Sequence, residues 1–310
     1  MTEILVVGGA GFLGSHLVPQ LLETGSNVTV QDVIPRDQAA KLGDSINLIE
    51  YRSKNLGDIT SRDVKGFDHV ISVSAQADVP LATSSPRWTY AQNVESYIAL
   101  LEAVRNSSQT VKLLLMSSEN VYGAVPVEHL PITEVELPYP ANSYGASKVA
   151  MESLAYAYSH QFGMPISIIR STTMFGERSR LKQVIPIFIE KALKNDSITI
   201  EGSGQQSRDF TYVKNTVQGI MKALSWSGRW GLWNIGSGQE VTIKELAELI
   251  MLLTGSKSEI VFGPWRPGEE GLRFSVSIEK AKRELGYAPE ISLGEGLERT
   301  ISWFRSLKNK

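Results

Sequence analysis

Cysteine is absent from this 310-residue chain, which excludes disulfides, thiolate catalysis and cysteine-ligated zinc together. Histidine is scarce: His16, His69, His129 and His160 stand far apart without ligand spacing, so they read as structural or surface groups and no metal site is expected. An excess of either charge is missing too. The 31 Lys and Arg against 33 Asp and Glu leave a net charge of −2. No lysine-rich tract or basic aromatic stripe offers a nucleic-acid surface, and nothing favours an anionic membrane. No apolar run approaches the roughly 18 residues of a membrane-spanning helix. The first strand pattern begins at once and leaves no room for a signal peptide, so a soluble, cytoplasmic protein is expected.

What is present starts at Ile4-Leu5-Val6-Val7-Gly8-Gly9-Ala10-Gly11-Phe12-Leu13-Gly14, an apolar strand that turns through glycines into a helix. Gly9, Gly11 and Gly14 satisfy G-x-G-x-x-G, and Gly8, Gly11 and Gly14 satisfy G-x-x-G-x-x-G. Without a Cβ the turn can bend sharply and a pyrophosphate can approach the main chain. The next helix then offers its free N–H groups and positive dipole end to the anion. A second strand, Val28 to Val30, ends on Asp32, 18 residues past Gly14, where an acid accepts hydrogen bonds from the adenosine ribose. A carboxylate there repels a 2′-phosphate, which favours NAD over NADP. Arg36 just beyond it could still accommodate a phosphate, and a plain strand-end turn aspartate is the other reading.

The length suits a cofactor domain with a smaller lobe. From Ile4 to about Ile169, apolar runs at Val28 to Val30, Val70 to Val73, Leu113 to Met116 and Ile166 to Ile169 alternate with helical patterns at Tyr90 to Arg105 and Ser147 to Phe162. This predicts an α/β fold with a Rossmann-type doubly wound parallel sheet over residues 1–175. A smaller mixed α/β substrate lobe follows over 176–310, with a segment near 211–240 returning to the first domain. In the lobe the pattern gives a helix at Val184 to Lys194, a strand at Ile198 to Glu201, a helix at Thr211 to Ser225 and a strand at Gly231 to Ile235. Thr242-Ile243-Lys244-Glu245 is a capping box opening a helix to about Leu253, and a last helix covers Leu297 to Leu307. Pro19 inside the first helix predicts a kink.

Tyr144 and Lys148, four apart at the start of the helix after the fourth predicted strand, share one face. Asn142-Ser143 can cap that helix. A lysine ammonium beside the phenol favours the phenolate and makes Tyr144 a usable general base. The fourth strand runs into Ser117-Ser118-Glu119-Asn120-Val121-Tyr122-Gly123, at the strand end where ligands sit in such sheets. Ser118 can bond both the phenol and a substrate oxygen and relay the proton. A capped turn would also explain the segment.

These landmarks, with Ala75-Gln76-Ala77-Asp78-Val79, Asn93-Val94, Arg208-Asp209-Phe210, Asn234-Ile235-Gly236-Ser237-Gly238 and Arg266-Pro267-Gly268-Glu269, resemble the extended short-chain dehydrogenases/reductases over nearly the whole chain. The resemblance is to the nucleotide-sugar epimerases and dehydratases among them. It implies NAD as cofactor, held by Gly8, Gly11, Phe12, Leu13, Gly14, Asp32, Asn55, Leu56, Ala75, Gln76, Asn93, Tyr144 and Lys148. It implies Ser118, Tyr144 and Lys148 as the catalytic set. Ser118, Glu119, Asn120, Thr173, Val184, Arg208, Arg266 and Glu269 are implied around a UDP-sugar, the arginines gripping its diphosphate as planar bidentate donors. An isolated arginine would otherwise read as a surface ion pair. The resemblance also implies a homodimer, paired through the two long helices at Tyr90 to Arg105 and Ser147 to Phe162.

Within that family, dehydratases carry an Asp-Glu pair directly after the serine or threonine. Here the positions hold Glu119 and Asn120, and an amide cannot act as the C5 base. A decarboxylase resembles the segment too, but without the intervening Asn120. An epimerase needs neither acid, so 4-epimerisation of UDP-glucose/UDP-galactose is the leading expectation. Thr173, where hexose epimerases usually carry Asn, looks like the uronate 4-epimerases and keeps UDP-glucuronate as the alternative; a neutral change to another small polar residue explains it equally. A net NAD-dependent oxidoreductase is the further alternative. Asn55 and Asn215 stand where the family often has Asp.

Overall fold

The computed structural model describes residues 1–265 and 270–308. Seven parallel strands form its central sheet: β1 (Glu3–Val7), β2 (Asn27–Asp32), β3 (Glu50–Ser53), β4 (His69–Ser72), β5 (Lys112–Ser118), β6 (Ile166–Ser171) and β7 (Trp230–Ile235). Their order is β7-β6-β5-β4-β1-β2-β3. Because β1 lies between β2 and β4, the winding reverses there and opens a crevice at the strand carboxyl ends.

Successive strand residues face opposite sides, which explains why the inner strands are apolar throughout. Ile4 and Val6 of β1, with Leu114 and Met116 of β5, enter one core. Leu5 and Val7, with Leu113 and Leu115, enter the other. The first side is covered by α1 (Gly14–Glu23), through Leu17, Val18 and Leu21. The second is covered by α2 (Ser96–Arg105), through Tyr97, Leu100, Leu101 and Val104, and by α3 (Ser143–Phe162), through Met151 and Ala155.

After β6 come the helices α4 (Val184–Lys194), α5 (Val213–Ser225), α6 (Ile243–Thr254), α7 (Glu279–Leu285) and α8 (Leu293–Lys308). Three small strand pairs stitch them to the sheet: Thr173–Phe175 with Phe210–Tyr212, Ser207–Arg208 with Val241–Thr242, and Ile198–Glu201 with Ile260–Gly263. The first apolar core continues without a break from α1 and α5 to Phe188, Leu246 and Ile250 of α4 and α6.

Several elements differ from the sequence expectation. The strand at Glu50–Ser53 was not expected, so the strand ending in Ser117-Ser118 is the fifth; Glu-Tyr-Arg-Ser lies on the sheet edge and carries no apolar run. The helix expected at Tyr90 to Arg105 starts earlier, at Pro86–Tyr90, and passes through a π-turn at Ala91–Glu95 before α2. The helix expected from Thr211 begins at Val213, after a short strand, and α7 was not expected. α1 continues as one helix through Pro19, whose ring leaves the Ser15 carbonyl without its helical amide donor.

One buried ion pair fixes α3 to the sheet. Arg170 of β6 donates from Nε to Glu152 Oε1 at 2.9 Å and from Nη2 to Oε2 at 2.6 Å. Ser117 of β5 donates to the same carboxylate, and Arg170 Nη1 donates to the Tyr122 hydroxyl at 2.9 Å. Arg170→Ala strands the Glu152 charge and should cost about 3–5 kcal/mol. A urea-denaturation midpoint unchanged from wild type would show that the pair carries no such weight.

Candidate functional site

The turn after β1 demands its glycines. Gly8 has φ +82°, and a Cβ there would sit 2.7 Å from the Ser74 main chain, in the loop after β4. A Cβ on Gly14 would overlap the Gly9 carbonyl, so α1 starts in van der Waals contact with the turn. No side chain caps this helix. Ser15 N and His16 N bond the Gly11 and Leu13 carbonyls, at 3.0 and 3.1 Å, so what this helix offers an anion is its positive dipole end. Asp32, at the end of β2, latches the turn: its Oδ2 accepts from Ala10 N at 3.0 Å and its Oδ1 from Ile34 N at 3.1 Å. Each oxygen keeps a lone pair for a ribose hydroxyl. Arg36 turns to the Ile46 carbonyl, at 2.6 Å.

Beyond β2, after the edge strand β3, Asn55 spends its Oδ1 on Gly57 N at 2.9 Å, and Leu56 is buried. Phe12 stacks edge-on against His16, while Leu13 is buried. Ala75 and Gln76 follow β4. Asn93, in the π-turn, clamps that loop: its Oδ1 accepts from Gln76 N at 2.8 Å, and its Nδ2 donates to Gln76 O at 2.9 Å and to Ser147 Oγ at 3.0 Å. Asn93 thus acts as a brace between the loop and α3.

The helix that carries Tyr144 begins at the expected cap, with Asn142 Oδ1 accepting from Gly145 N at 2.8 Å. Gly145 is required because a Cβ would collide with the Asn120 carbonyl, so the helix start touches the end of β5. Lys148 is 1 % exposed, and its Nζ donates to the Met116 carbonyl at 2.7 Å. The ammonium lies 5.1 Å from the Tyr97 ring centroid and 5.9 Å from that of Tyr144. Burial pulls the Lys148 pKa down, while Tyr144 and Glu152 act against that shift. Ser118 Oγ accepts from Asn120 N at 3.2 Å and Asn120 Nδ2 at 3.1 Å, so it caps the turn and keeps its own proton to donate. Asn120 Oδ1 in turn accepts from Asn142 Nδ2 at 3.2 Å.

A second cluster lies beside it. Thr173 Oγ1 donates to Glu119 Oε1 at 2.7 Å, and Glu119 also feels Asp209 and Arg208. Burial pushes the Glu119 carboxyl up to about 8, with Asp209 adding to the shift and Thr173 and Arg208 opposing it. Arg208 donates from Nη1 to the Ser207 carbonyl at 2.8 Å. Val184 heads α4 and packs on the first core. Arg266 and Glu269, expected at the diphosphate and sugar, lie outside the described residues.

Sequence reasoning missed Glu152 and Asp209. Glu152 stands four residues beyond Lys148, on the same buried face as Tyr144, and that spacing was its signal. Asp209 binds Ser237 N at 2.8 Å, Ser237 Oγ at 2.7 Å and Gly238 N at 3.0 Å, tying two distant motifs together. No local pattern announces such a pairing.

The profile of the NAD dependent epimerase/dehydratase family matches residues 4–236, and the chain belongs to that family. It is 34 % identical, over 98 % of both chains, to a Methanocaldococcus jannaschii protein provisionally named UDP-glucose 4-epimerase. Among solved structures it resembles the Thermotoga maritima UDP-glucose 4-epimerase with UDP-glucose, at TM-score 0.91 and 30 % identity, covering 99 % of this chain and 100 % of that one. It resembles equally the Bacillus cereus UDP-glucuronic acid 4-epimerase in complex with UDP-glucuronic acid and NAD, at 0.90 and 28 %, with the same coverage. The glycine cradle and the Asp32 latch fit the dinucleotide that the family uses.

His16, in the first turns of α1, is one of the four histidines expected to be structural or surface groups, and it is buried. Its Nε2 lies 2.9 Å from the Glu177 carbonyl and its Nδ1 3.2 Å from Arg178 Nη2, so the network sets a neutral ring with the proton on Nε2. Burial above all lowers its pKa to about 4. The unfolded chain therefore binds an extra proton between about pH 6.5 and 4, and stability falls as the pH drops through that window. His16→Gln should flatten this acid slope in denaturation midpoints taken from pH 7 to 4; an unchanged slope would remove His16 as its source.

Proposed function

We propose that this chain is a 4-epimerase of UDP-hexoses, interconverting UDP-glucose and UDP-galactose. The observation that carries the choice of epimerase is Asn120. A neutral amide, committed to Ser118 and Asn142, occupies the place where elimination of water would need a carboxylate base. The choice of an uncharged hexose over a uronate is supported by Thr173, whose hydroxyl proton is already given to Glu119 and is not free for a sugar carboxylate.

In this reading Tyr144 takes the proton of the sugar 4-hydroxyl. Lys148, pinned by the Met116 carbonyl, holds positive charge beside the phenol. Ser118 offers its remaining proton to the same oxygen, steering it toward Tyr144. NAD, when bound, supplies the hydride acceptor and donor for C4. The keto sugar then turns over within the site and is reduced on its opposite face, so the cofactor is not consumed. Gly8, Gly11, Phe12, Leu13, Gly14, Asp32, Asn55, Leu56, Ala75 and Gln76 would border the dinucleotide, and Val184 and Arg208 the UDP. We assign residues 1–175 to the cofactor and 176–310 to the sugar nucleotide, with the segment near 211–240 joining the first part.

Proton NMR of the purified protein with UDP-glucose and with UDP-glucuronate, without added NAD, tests the assignment. New galacto anomeric signals from UDP-glucose are expected. Conversion of UDP-glucuronate alone would move the assignment to the uronate epimerases, and no conversion of either, even with NAD added, would remove it. Tyr144→Phe should bind UDP-glucose and lose turnover by about 10²–10⁴-fold or more; near-normal turnover would remove Tyr144 as the base.

We also propose a homodimer. Ile98 on α2 and Tyr156 and Phe162 on α3 keep large apolar side chains exposed, 38 %, 55 % and 50 % respectively, although both helices already bury one face against the sheet. Sedimentation equilibrium should give twice the chain mass, and a monomer at micromolar concentration would count against it.

A further inference from the structure

Tyr97 of α2 is fully buried, and the Lys148 ammonium of α3 meets the face of its ring, 5.1 Å from the centroid. A cation within about 6 Å of a ring centroid is attracted by the ring quadrupole, more strongly when both groups are out of water. Lys148 meets that condition. At 1 % exposure it has given up its hydration, and the Met116 carbonyl takes one of its three protons at 2.7 Å. Glu152, four residues further on, has both carboxylate oxygens engaged by Arg170 of β6, which answers much of its charge. A buried ammonium needs further compensation, and the Tyr97 face supplies it.

The ring is anchored at its other end. Tyr97 Oη donates to the Ser74 carbonyl at 2.9 Å and accepts from Ser72 Oγ at 3.4 Å. Ser74 is the residue whose main chain abuts Gly8 in the turn after β1, so one side chain joins the loop behind the glycine turn to the ammonium. Burial pushes the Tyr97 phenol up to about 12, against the Ser72 hydrogen bond, and the ring stays uncharged.

We infer that Tyr97 is a positioning residue of the reaction: its ring face keeps the buried Lys148 ammonium charged and fixed beside Tyr144. The inference rests on the reading of Lys148 above as the cation beside the phenol, and adds the group that sustains its charge. Around the ammonium stand Tyr144 and Glu152 on α3, Arg170 of β6 bonded to Glu152, the Met116 carbonyl of β5 and Tyr97 on α2. Burial lowers the Lys148 pKa, and Tyr144 and Glu152 oppose that shift. Without the ring face burial is opposed less, so the pKa falls further.

The charge is read directly, with no turnover needed, from the ¹³Cε resonances of labelled lysines in the NAD-loaded protein, titrated from about pH 7 to 11. Lys148→Met identifies the Lys148 signal. Tyr97→Phe keeps the ring and should leave the Lys148 midpoint at its wild-type value. Tyr97→Leu keeps an apolar side chain without a π face, and the midpoint should fall by about one pH unit. A para-cyanophenylalanine at position 97 keeps the ring shape but draws electrons from its face. It should lower the midpoint in the same direction, and it carries the test if Tyr97→Leu does not fold. An unchanged midpoint in either of these two variants, once folded, overturns the inference. So does a Tyr97→Phe midpoint as low as that of Tyr97→Leu, which would assign the effect to the hydroxyl and its Ser74 contact. Failure of the epimerase reading would appear separately, as absence of conversion by a protein whose Lys148 midpoint still follows the ring.

Discussion

The arrangement of this site depends on a salt bridge that has no solvent around it. Arg170 and Glu152, 6 % and 9 % exposed at their side chains, join β6 to the face of α3 that also carries Tyr144 and Lys148. Removing two charges from water is expensive, and an apolar pair of the same volume would often serve stability as well. The polar pair contributes position. Its two parallel hydrogen bonds permit one rotation and one height of the helix, and the Ser117 hydroxyl ties the same carboxylate to the strand that ends in Ser118. Gly145 against the Asn120 carbonyl then closes the remaining gap. The phenol, ammonium and serine are consequently held by three elements that meet at one strand end.

The cofactor side follows a similar economy. Asp32 latches the glycine turn through Ala10 N while keeping lone pairs for a ribose, so the group that would read the dinucleotide also shapes its cradle. Asn93 performs the equivalent task for the loop after β4, and the π-turn that displaces it from regular helix lets its amide reach Gln76 and Ser147 together. A π-turn inside a helix often marks a functional position, and here its geometric reason is visible.

Two buried acids, Asp209 and Glu119, are both raised in pKa by burial but differ in the donors around them. Asp209 is surrounded by Ser237 N, Ser237 Oγ, Gly238 N and the Thr211 hydroxyl, yet burial still raises its pKa. Glu119 has Thr173 alone and an oxygen facing nothing. The first carboxylate staples the Arg-Asp-Phe segment to the Asn-Ile-Gly-Ser-Gly loop. The second keeps one oxygen, Oε2, without a hydrogen-bond partner among the described residues.

What the sequence determined by itself was local. The glycine turn, the strand into Asp32, the Asn142 cap and the Tyr144/Lys148 spacing could be read because each is a requirement placed on neighbouring residues by backbone sterics or helix period. The parallel sheet was legible for a related reason: strands covered on both faces must be apolar at every position. β3 was not legible, since Glu50 to Ser53 is polar and becomes a strand only by pairing with β2 at the sheet edge. Nor was the state of Glu119, whose controlling partners Thr173 and Asp209 are far along the chain and reach it only through the strand ends of the folded sheet. Dielectric and hydrogen-bond supply are properties of a place in three dimensions, so tertiary structure alone decided which acid keeps its proton and which side chains merely hold the others in position.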